Sequence, residues 1–222
     1  MNYERLYAYR FRDIDQDARI AVWQEIGPHV HELMERPRKV LDPAAGRGEF
    51  IGAVPAEETW AVDEVSYPEA AHKPDTTVIT ASIMDAELPA AHFDGIYVSN
   101  FLEHLRDQEA IAAFLEKMNR AMEPGGRIAI MGPNYRYCSD EYWDCADHYV
   151  ALTHVAIGEH LYAAGFEPTR IVPRYLPYSF RGILPPSRLL TRLYLKTPPA
   201  WRLLGKQFLV IGRKVDGQSA AV

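Results

Sequence analysis

Two apolar patterns alternate along this chain. Ile20, Trp23, Ile26, Val30 and Leu33 recur at three- and four-residue steps, which predicts an amphipathic helix from Asp15 to Met34, interrupted at Gly27-Pro28. Short, nearly continuous apolar runs follow at 39–42, 59–63, 77–80 and 93–99, each the length of a buried strand. A glycine-bearing loop at 43–48 and a short helix separate the first two. A long helix is predicted from Asp107 to Met122, and Pro124-Gly125-Gly126 turns the chain into a fifth strand, Arg127 to Met131. Residues 133–149 read as a polar, aromatic loop. A helix from Val155 to Ala164 stops at Gly165, a residue free to take the left-handed conformation that ends helices. A strand at 169–172, a Pro-rich stretch and a last strand at 207–212 complete the pattern. Strands alternating with helices predict an α/β domain on a mostly parallel sheet, with helices on both faces.

Composition fits one soluble domain: 222 residues, 48% hydrophobic and 24% charged, enough to bury a sizeable core. Within it, residues 37–172 and 207–214 form the predicted core, 1–36 an N-terminal segment, and 173–206 an insertion. Cys138 and Cys145 have no second pair to build a framework, so they are expected to be reduced thiols of a cytoplasmic protein. The charged N-terminus lacks the apolar core of a signal peptide, and no run approaches the ~18 apolar residues of a membrane span.

Net charge conceals an asymmetry. Residues 1–167 carry 29 acids against 14 Lys/Arg, whereas 168–222 carry ten Lys/Arg against Asp216 alone. The acidic body excludes a general nucleic-acid surface, which needs a basic footprint. The basic tail suits an anionic substrate, contact with a membrane surface, or simply a solvated face.

Ligands of open α/β sheets bind beyond the carboxyl ends of the strands. Asp42 ends the first strand there, ahead of Ala44-Ala45-Gly46-Arg47-Gly48, and Asp63 ends the second. Alone, Asp42 reads as a helix N-cap. With Asp63, whose carboxylate can accept both hydroxyls of a ribose, it points to a nucleoside cofactor, nicotinamide dinucleotide or S-adenosylmethionine (SAM) alike.

Later motifs separate these two. Phe93-Asp94-Gly95-Ile96-Tyr97-Val98-Ser99-Asn100-Phe101-Leu102-Glu103-His104-Leu105 and Met122-Glu123-Pro124-Gly125-Gly126-Arg127-Ile128 resemble the class I SAM-dependent methyltransferases, particularly the small bacterial sugar- and polysaccharide-pathway type. The resemblance runs from about Tyr3 to the last strand. It implies a Rossmann-like seven-stranded sheet, mostly parallel with one antiparallel edge strand, and SAM as cofactor. It sets Asp42, Ala44, Gly46 and Gly48 against the methionine end of SAM and Asp63 on the ribose. Glu64 and Ile83 would flank the adenine, with Ser82 where the family often has an acid. Asn100 and Phe101 would lie near the sulfonium, and Arg10 would reach the SAM carboxylate. Ala44, preceded by Pro43, departs from the glycine that usually opens this loop.

Methyl transfer to a hydroxyl needs alignment, exclusion of water and a nearby base. The loop after the fifth strand supplies candidates: Asp147-His148 as base pair, His154 second and Asp144 beside them. Tyr135, Tyr137 and Trp143 offer rings that stack on sugar faces. Covering the sheet and capping the next helix are the plain alternatives for these residues. Asp140, Asp144 and His148 are a further one, an oxygen-rich set for a divalent ion such as Mg2+. The N-terminal segment with Tyr9 resembles a lid over the acceptor, and Arg174 and Tyr178 open the basic insertion on the acceptor side. These features lead to the expectation of O-methylation of a sugar or glycan hydroxyl, small or linked to a lipid or nucleotide carrier. A natural-product phenol or amine methyltransferase and a non-catalytic SAM-binding module are the alternatives.

Overall fold

The computed structural model describes residues 3–12, 14–67, 70–177 and 187–215. The elements run α1 (Tyr3–Arg10), α2 (Gln16–Leu33), β1 (Lys39–Asp42), α3 (Glu49–Ala53), β2 (Glu58–Asp63), β3 (Thr77–Thr80) and β4 (Phe93–Ser99). A 3-10 turn at Leu102–His104 leads into α4 (Gln108–Ala121) and β5 (Met122–Pro133). Then come α5 (Tyr135–Tyr142), α6 (His154–Ala163), β6 (Phe166–Val172), α7 (Arg188–Leu195), α8 (Pro198–Leu204) and β7 (Gln207–Lys214). The strands form one sheet in the order β3-β2-β1-β4-β5-β7-β6. This is a Rossmann-like methyltransferase sheet, parallel except for β7.

The antiparallel strand is not at the edge. β7 slots between β5 and β6 and pairs antiparallel with both, leaving β6 outermost. A seven-residue register with β5, Arg127↔Arg213 to Pro133↔Gln207, covers one flank and pairing with β6 the other.

Side chains alternate across the sheet and so build two cores. Leu41, Ile96, Val98, Ile128, Ile130 and Val210 point to one face, where Phe114, Met118, Ile157 and Leu161 of α4 and α6 cover them. Val40, Tyr97, Ala129, Met131, Leu209 and Ile211 point to the other, under Trp23, Ile26 and Val30 of α2, Phe50 of α3, and Leu195 and Trp201 of α7 and α8. Each such buried aliphatic side chain contributes roughly 1.5–3 kcal/mol.

Several local expectations change. α2 runs unbroken through Gly27-Pro28 behind an Asp15 cap that accepts the Asp17 and Ala18 amides. Pro28 forgoes one backbone bond, and Gly27 serves packing: a Cβ there would lie 2.8 Å from that of Ala53. The 133–149 segment is not all loop, because Asn134 caps α5, whose backbone breaks from helical geometry at Cys138. The insertion carries two helices.

The basic tail meets an acid from far away in sequence. Arg188 and Arg192 both bind Glu25 of α2, at 2.6 and 2.7 Å. The Arg192 hydrogen bond, working against burial and together with Arg188, holds the Glu25 carboxyl down at about 2. No helix among the described residues is long and apolar enough to cross a membrane.

Candidate active site

The carboxyl ends of β1, β2, β4 and β5 share one edge, and the chemistry gathers there. β1 delivers Asp42, 3% exposed, whose Oδ1 accepts the Ala44 amide at 3.3 Å. Burial first, then the negative charges of Asp63 and Glu49, push its carboxyl up to about 8 against that one hydrogen bond. Such a carboxyl is primed to ionise when a cation arrives.

The loop beyond it is clamped from β2. Asp63 Oδ2 accepts the Gly46 amide at 2.8 Å and Oδ1 the Val65 amide at 2.9 Å, while the Ala45 amide bonds the Val62 carbonyl. Burial nevertheless raises the Asp63 carboxyl above its ordinary value. Gly46 and Gly48 both have positive φ, +54° and +75°. A Cβ on Gly48 would press to 3.1 Å from the His72 amide, so only glycine lets the 70–72 segment close over the loop. Gly46, Asp63, Tyr67, His72 and Thr80 line a cleft of about 400 Å³, including its open mouth.

These residues fit SAM. A buried carboxyl with no cation paired to it among the described residues suits its methionine ammonium, a strand-end acid in the cleft wall suits its ribose, and a loop with glycine at 46 and 48 lets a ligand approach the backbone. Asn100, forced to a left-handed φ of +49°, is held at the end of β4 by its amide bond to the Met131 carbonyl. Phe101 follows and packs on Phe114. Ser82 begins the turn after β3, its Oγ accepting the Met84 amide. Ile83, by contrast, is buried in the core, and Glu64 is exposed.

On the acceptor side the expected Asp147–His148 partnership is replaced by another. The Asp147 carboxylate, fully buried, takes a two-point ion pair from Arg10 and lies 3.4 Å from His104 Nδ1. Arg10 is therefore committed to Asp147. Burial alone would raise the Asp147 carboxyl, but the Arg10 hydrogen bond and the charges of His104 and Arg10 hold it below the carboxylate range. His104 Nδ1 also lies 2.8 Å from the Asp147 carbonyl. A carbonyl only accepts, so Nδ1 carries a proton and donates it there.

His148 stacks edge-on with His104 at 5.0 Å and with Tyr142 at 4.7 Å, and its buried Nδ1 has no partner. Burial, then the neighbouring His104, lowers its imidazole to about 4 despite Asp147. His154 is differently employed. Asn134 directs its amide nitrogen to both the Pro173 carbonyl and His154 Nδ1, at 2.7 and 2.9 Å. The ring must accept there, so its proton sits on Nε2, and no lone pair remains for an acceptor hydroxyl.

The remaining predicted residues scatter. Trp143, 51% exposed, meets Tyr135 and Tyr142 edge-on. Tyr137 lies between His154 and the Arg174 guanidinium, which is itself bound to the Gly205 and Leu203 carbonyls. Tyr9 is 67% exposed and carries Arg12 on its ring. Tyr7, two residues earlier on α1, has its hydroxyl raised by burial first and then by the charge of Asp147, with Asp63 a smaller contribution. Tyr178 lies outside the described residues. Asp140, Asp144 and His148 do not converge: the described clusters with ligand spacing are Glu103/His104/His148 and Cys145/Asp147/His148, while Asp140 and Asp144 are exposed on or beside α5. The oxygen-rich Mg2+ set is thereby withdrawn.

No local pattern in the sequence singles out Tyr67, or the Arg19–Glu49 pair at 2.6 Å that ties α2 to the helix after the glycine loop. An arginine and a buried glutamate thirty residues apart carry no local signal.

The sheet order, the buried acid ending β1 and the clamped glycine loop define a class I SAM-dependent methyltransferase. A methyltransferase-domain family model matches residues 16–170, most of the chain, and the protein belongs to that family. Among solved structures, a SAM-dependent methyltransferase from Archaeoglobus fulgidus aligns at a TM-score of 0.65 and 19% identity, over 96% of this chain and 100% of its own. A Burkholderia thailandensis 1,6-didemethyltoxoflavin N1-methyltransferase, solved with bound 1,6-didemethyltoxoflavin and S-adenosylhomocysteine, aligns at 0.61 and 22% over 96% and 89%. A Thermotoga maritima SAM-dependent methyltransferase reaches 0.67 at 12% identity over 95% and 98%. These similarities are of fold. No curated protein matches by sequence.

Proposed function

We propose that this methyltransferase O-methylates a sugar or glycan hydroxyl, on a lipid- or nucleotide-linked carrier. The observation that carries the reading is the rim after β5. There Trp143 presents a half-exposed ring, braced by Tyr135 and by Tyr142, and Tyr142 in turn meets His148 of the His104–His148 pair. An open aromatic face suits the C–H face of a sugar, and the neutral His148 imidazole suits the proton its hydroxyl must lose. SAM supplies the methyl on its sulfonium. Asp42 and the clamped loop would hold its amino-acid end, and Asp63 its ribose. Arg10 binds no ligand in this reading; it fixes Asp147 and through it His104.

His148 is assigned as base because its imidazole is neutral at physiological pH and its Nδ1 is unpartnered. A second reading gives this role to His104, whose Nδ1 is engaged by the Asp147 carbonyl, so that Nε2 would be the nitrogen to take the proton. The test is SAM-dependent turnover over a panel of sugars, sugar nucleotides, phenols and amines, with products located by mass spectrometry. Methylation of a sugar hydroxyl supports the reading. Turnover confined to phenols or amines replaces it.

A further inference from the structure

α7 and α8 expose a leucine surface that the methyl-transfer site does not use. On α7, Leu189 and Leu193 are 73% and 62% exposed and Leu190 43%, while Leu195 alone on that helix is buried. At about 100° per residue, Leu189, Leu193 and Leu190 occupy one face, opposite the buried Leu195, with the partly buried Tyr194 at its border. α8 repeats the arrangement in one turn. Trp201 is its anchor, stacked edge-on against Tyr175 and His29, and Leu203 and Leu204 stand 76% and 54% exposed. Both anchors insert into the same core, so both leucine sets lie on the outer side of one layer. Five outward leucines on two successive helices are an apolar surface of the kind that marks an interaction site.

Charge identifies the occupant. Residues 187–215 contain seven Lys/Arg and no acid. Arg188 and Arg192 share one carboxylate, Glu25, which leaves that flank net positive, and Lys196 and Arg202 are exposed beside the leucines. Leucines outward with cations along their flank is the composition of a helix that lies in a membrane interface, its apolar side in the acyl boundary and its cations among anionic headgroups. A second copy of the chain fits poorly, since a two-fold contact sets each patch against itself and opposes arginine to arginine.

Leu203 and Leu204 lie directly before β7, at its end on the ligand-bearing edge of the sheet. The Asn134 amide bonds the Lys206 carbonyl at 2.9 Å, and Lys206 Nζ pairs with Glu141 of α5. A surface that rests here lies next to the aromatic rim.

We infer that α7 and α8 dock the enzyme on an anionic phospholipid surface, with Leu189, Leu193 and Leu203 inserted and Lys196 and Arg202 on headgroup phosphates. The docking stands apart from the reaction assigned above and is measured without turnover. The full chain is sedimented with phosphatidylcholine vesicles and with phosphatidylcholine–phosphatidylglycerol vesicles, at low and high salt. Binding only to the anionic vesicles, weakened by salt, is expected. L189S/L193S should lower the partition coefficient at least about tenfold, and K196Q/R202Q should remove the preference for anionic lipid. Unchanged circular dichroism and S-adenosylhomocysteine affinity show that both variants remain folded. Failure of the wild type to pellet with anionic vesicles overturns the proposal, as does equal pelleting of L189S/L193S. So does concentration-dependent self-association, or a stable complex with another protein, that the leucine substitutions abolish while lipid binding is absent.

Discussion

Arg10 of α1 closes a two-point ion pair on the buried carboxylate of Asp147, 137 residues further along the chain. The pair joins the N-terminal helix to the loop that carries His148, and His104 holds the same Asp147 from the 3-10 turn. A charge buried at Asp147 needs this partner, because an unpaired buried charge is far more costly than an exposed one.

Arg10→Ala should therefore destabilise the protein by up to about 3 kcal/mol, the low end for a broken buried pair, since Arg10 keeps 20% of its side chain in solvent. The pH dependence checks the cause. Asp147 has a folded-state value below its unfolded one, so the pair's contribution is complete above the ordinary carboxylate range and lost as pH falls through the depressed value. Urea denaturation of both proteins at neutral and acid pH should show the difference shrinking in acid. A constant difference would mean that Arg10 acts through packing.

Asp42 carries the opposite sign. Its folded value of about 8 exceeds the unfolded 3.8, so between these the folded state binds the extra proton and stability from this group falls as pH rises. Asp42→Asn keeps the Ala44 hydrogen bond and removes the ionisation. The ligand-free variant should match the wild type near pH 4 and melt higher above pH 8, while binding S-adenosylhomocysteine at least about tenfold more weakly through loss of a charge-assisted bond. Differential scanning fluorimetry across pH, with and without that ligand, reads both effects. Affinity unchanged in the variant would remove Asp42 from the cofactor's ammonium.

Asp63 is asked to do two jobs, clamping Gly46 and Val65 and meeting the ribose. Asp63→Ala should weaken S-adenosylhomocysteine by about 30–150-fold, the loss of roughly 2–3 kcal/mol of charge-assisted hydrogen bonding. Asp63→Asn retains one acceptor and should fall between. Titration calorimetry on folded variants decides it, and wild-type affinity in both would remove Asp63 from the ribose.

Turnover should depend on His148. His148→Ala is expected to lower kcat by about 10²–10⁴ while leaving S-adenosylhomocysteine affinity intact. Because burial holds the imidazole at about 4, wild-type kcat should already be level at pH 6, unlike that of an enzyme with an ordinary imidazole base at 6.5. A loss of less than about tenfold in His148→Ala, with a larger one in His104→Ala, would transfer the role to His104.

What the sequence determined by itself was local. Alternating strand and helix periods are properties of neighbouring residues, and they sufficed for the α/β class, the strands that carry Asp42 and Asp63, and the glycine loop between them. Tertiary structure decided whatever depends on residues far apart in the chain. β7 lies inside the sheet because β5 offers it seven paired positions, and no periodicity records which strand an edge accepts. Tyr7 rather than Tyr9 faces the site, since a two-residue step on a helix reverses a side chain's direction. Asp147 belongs to Arg10 rather than to adjacent His148 because adjacent side chains diverge, while the fold brings a guanidinium from the other end of the chain into hydrogen-bond range. Arg188 and Arg192, in an acid-free stretch of sequence, find Glu25 for the same reason: charges pair in space, where α7 lies on α2.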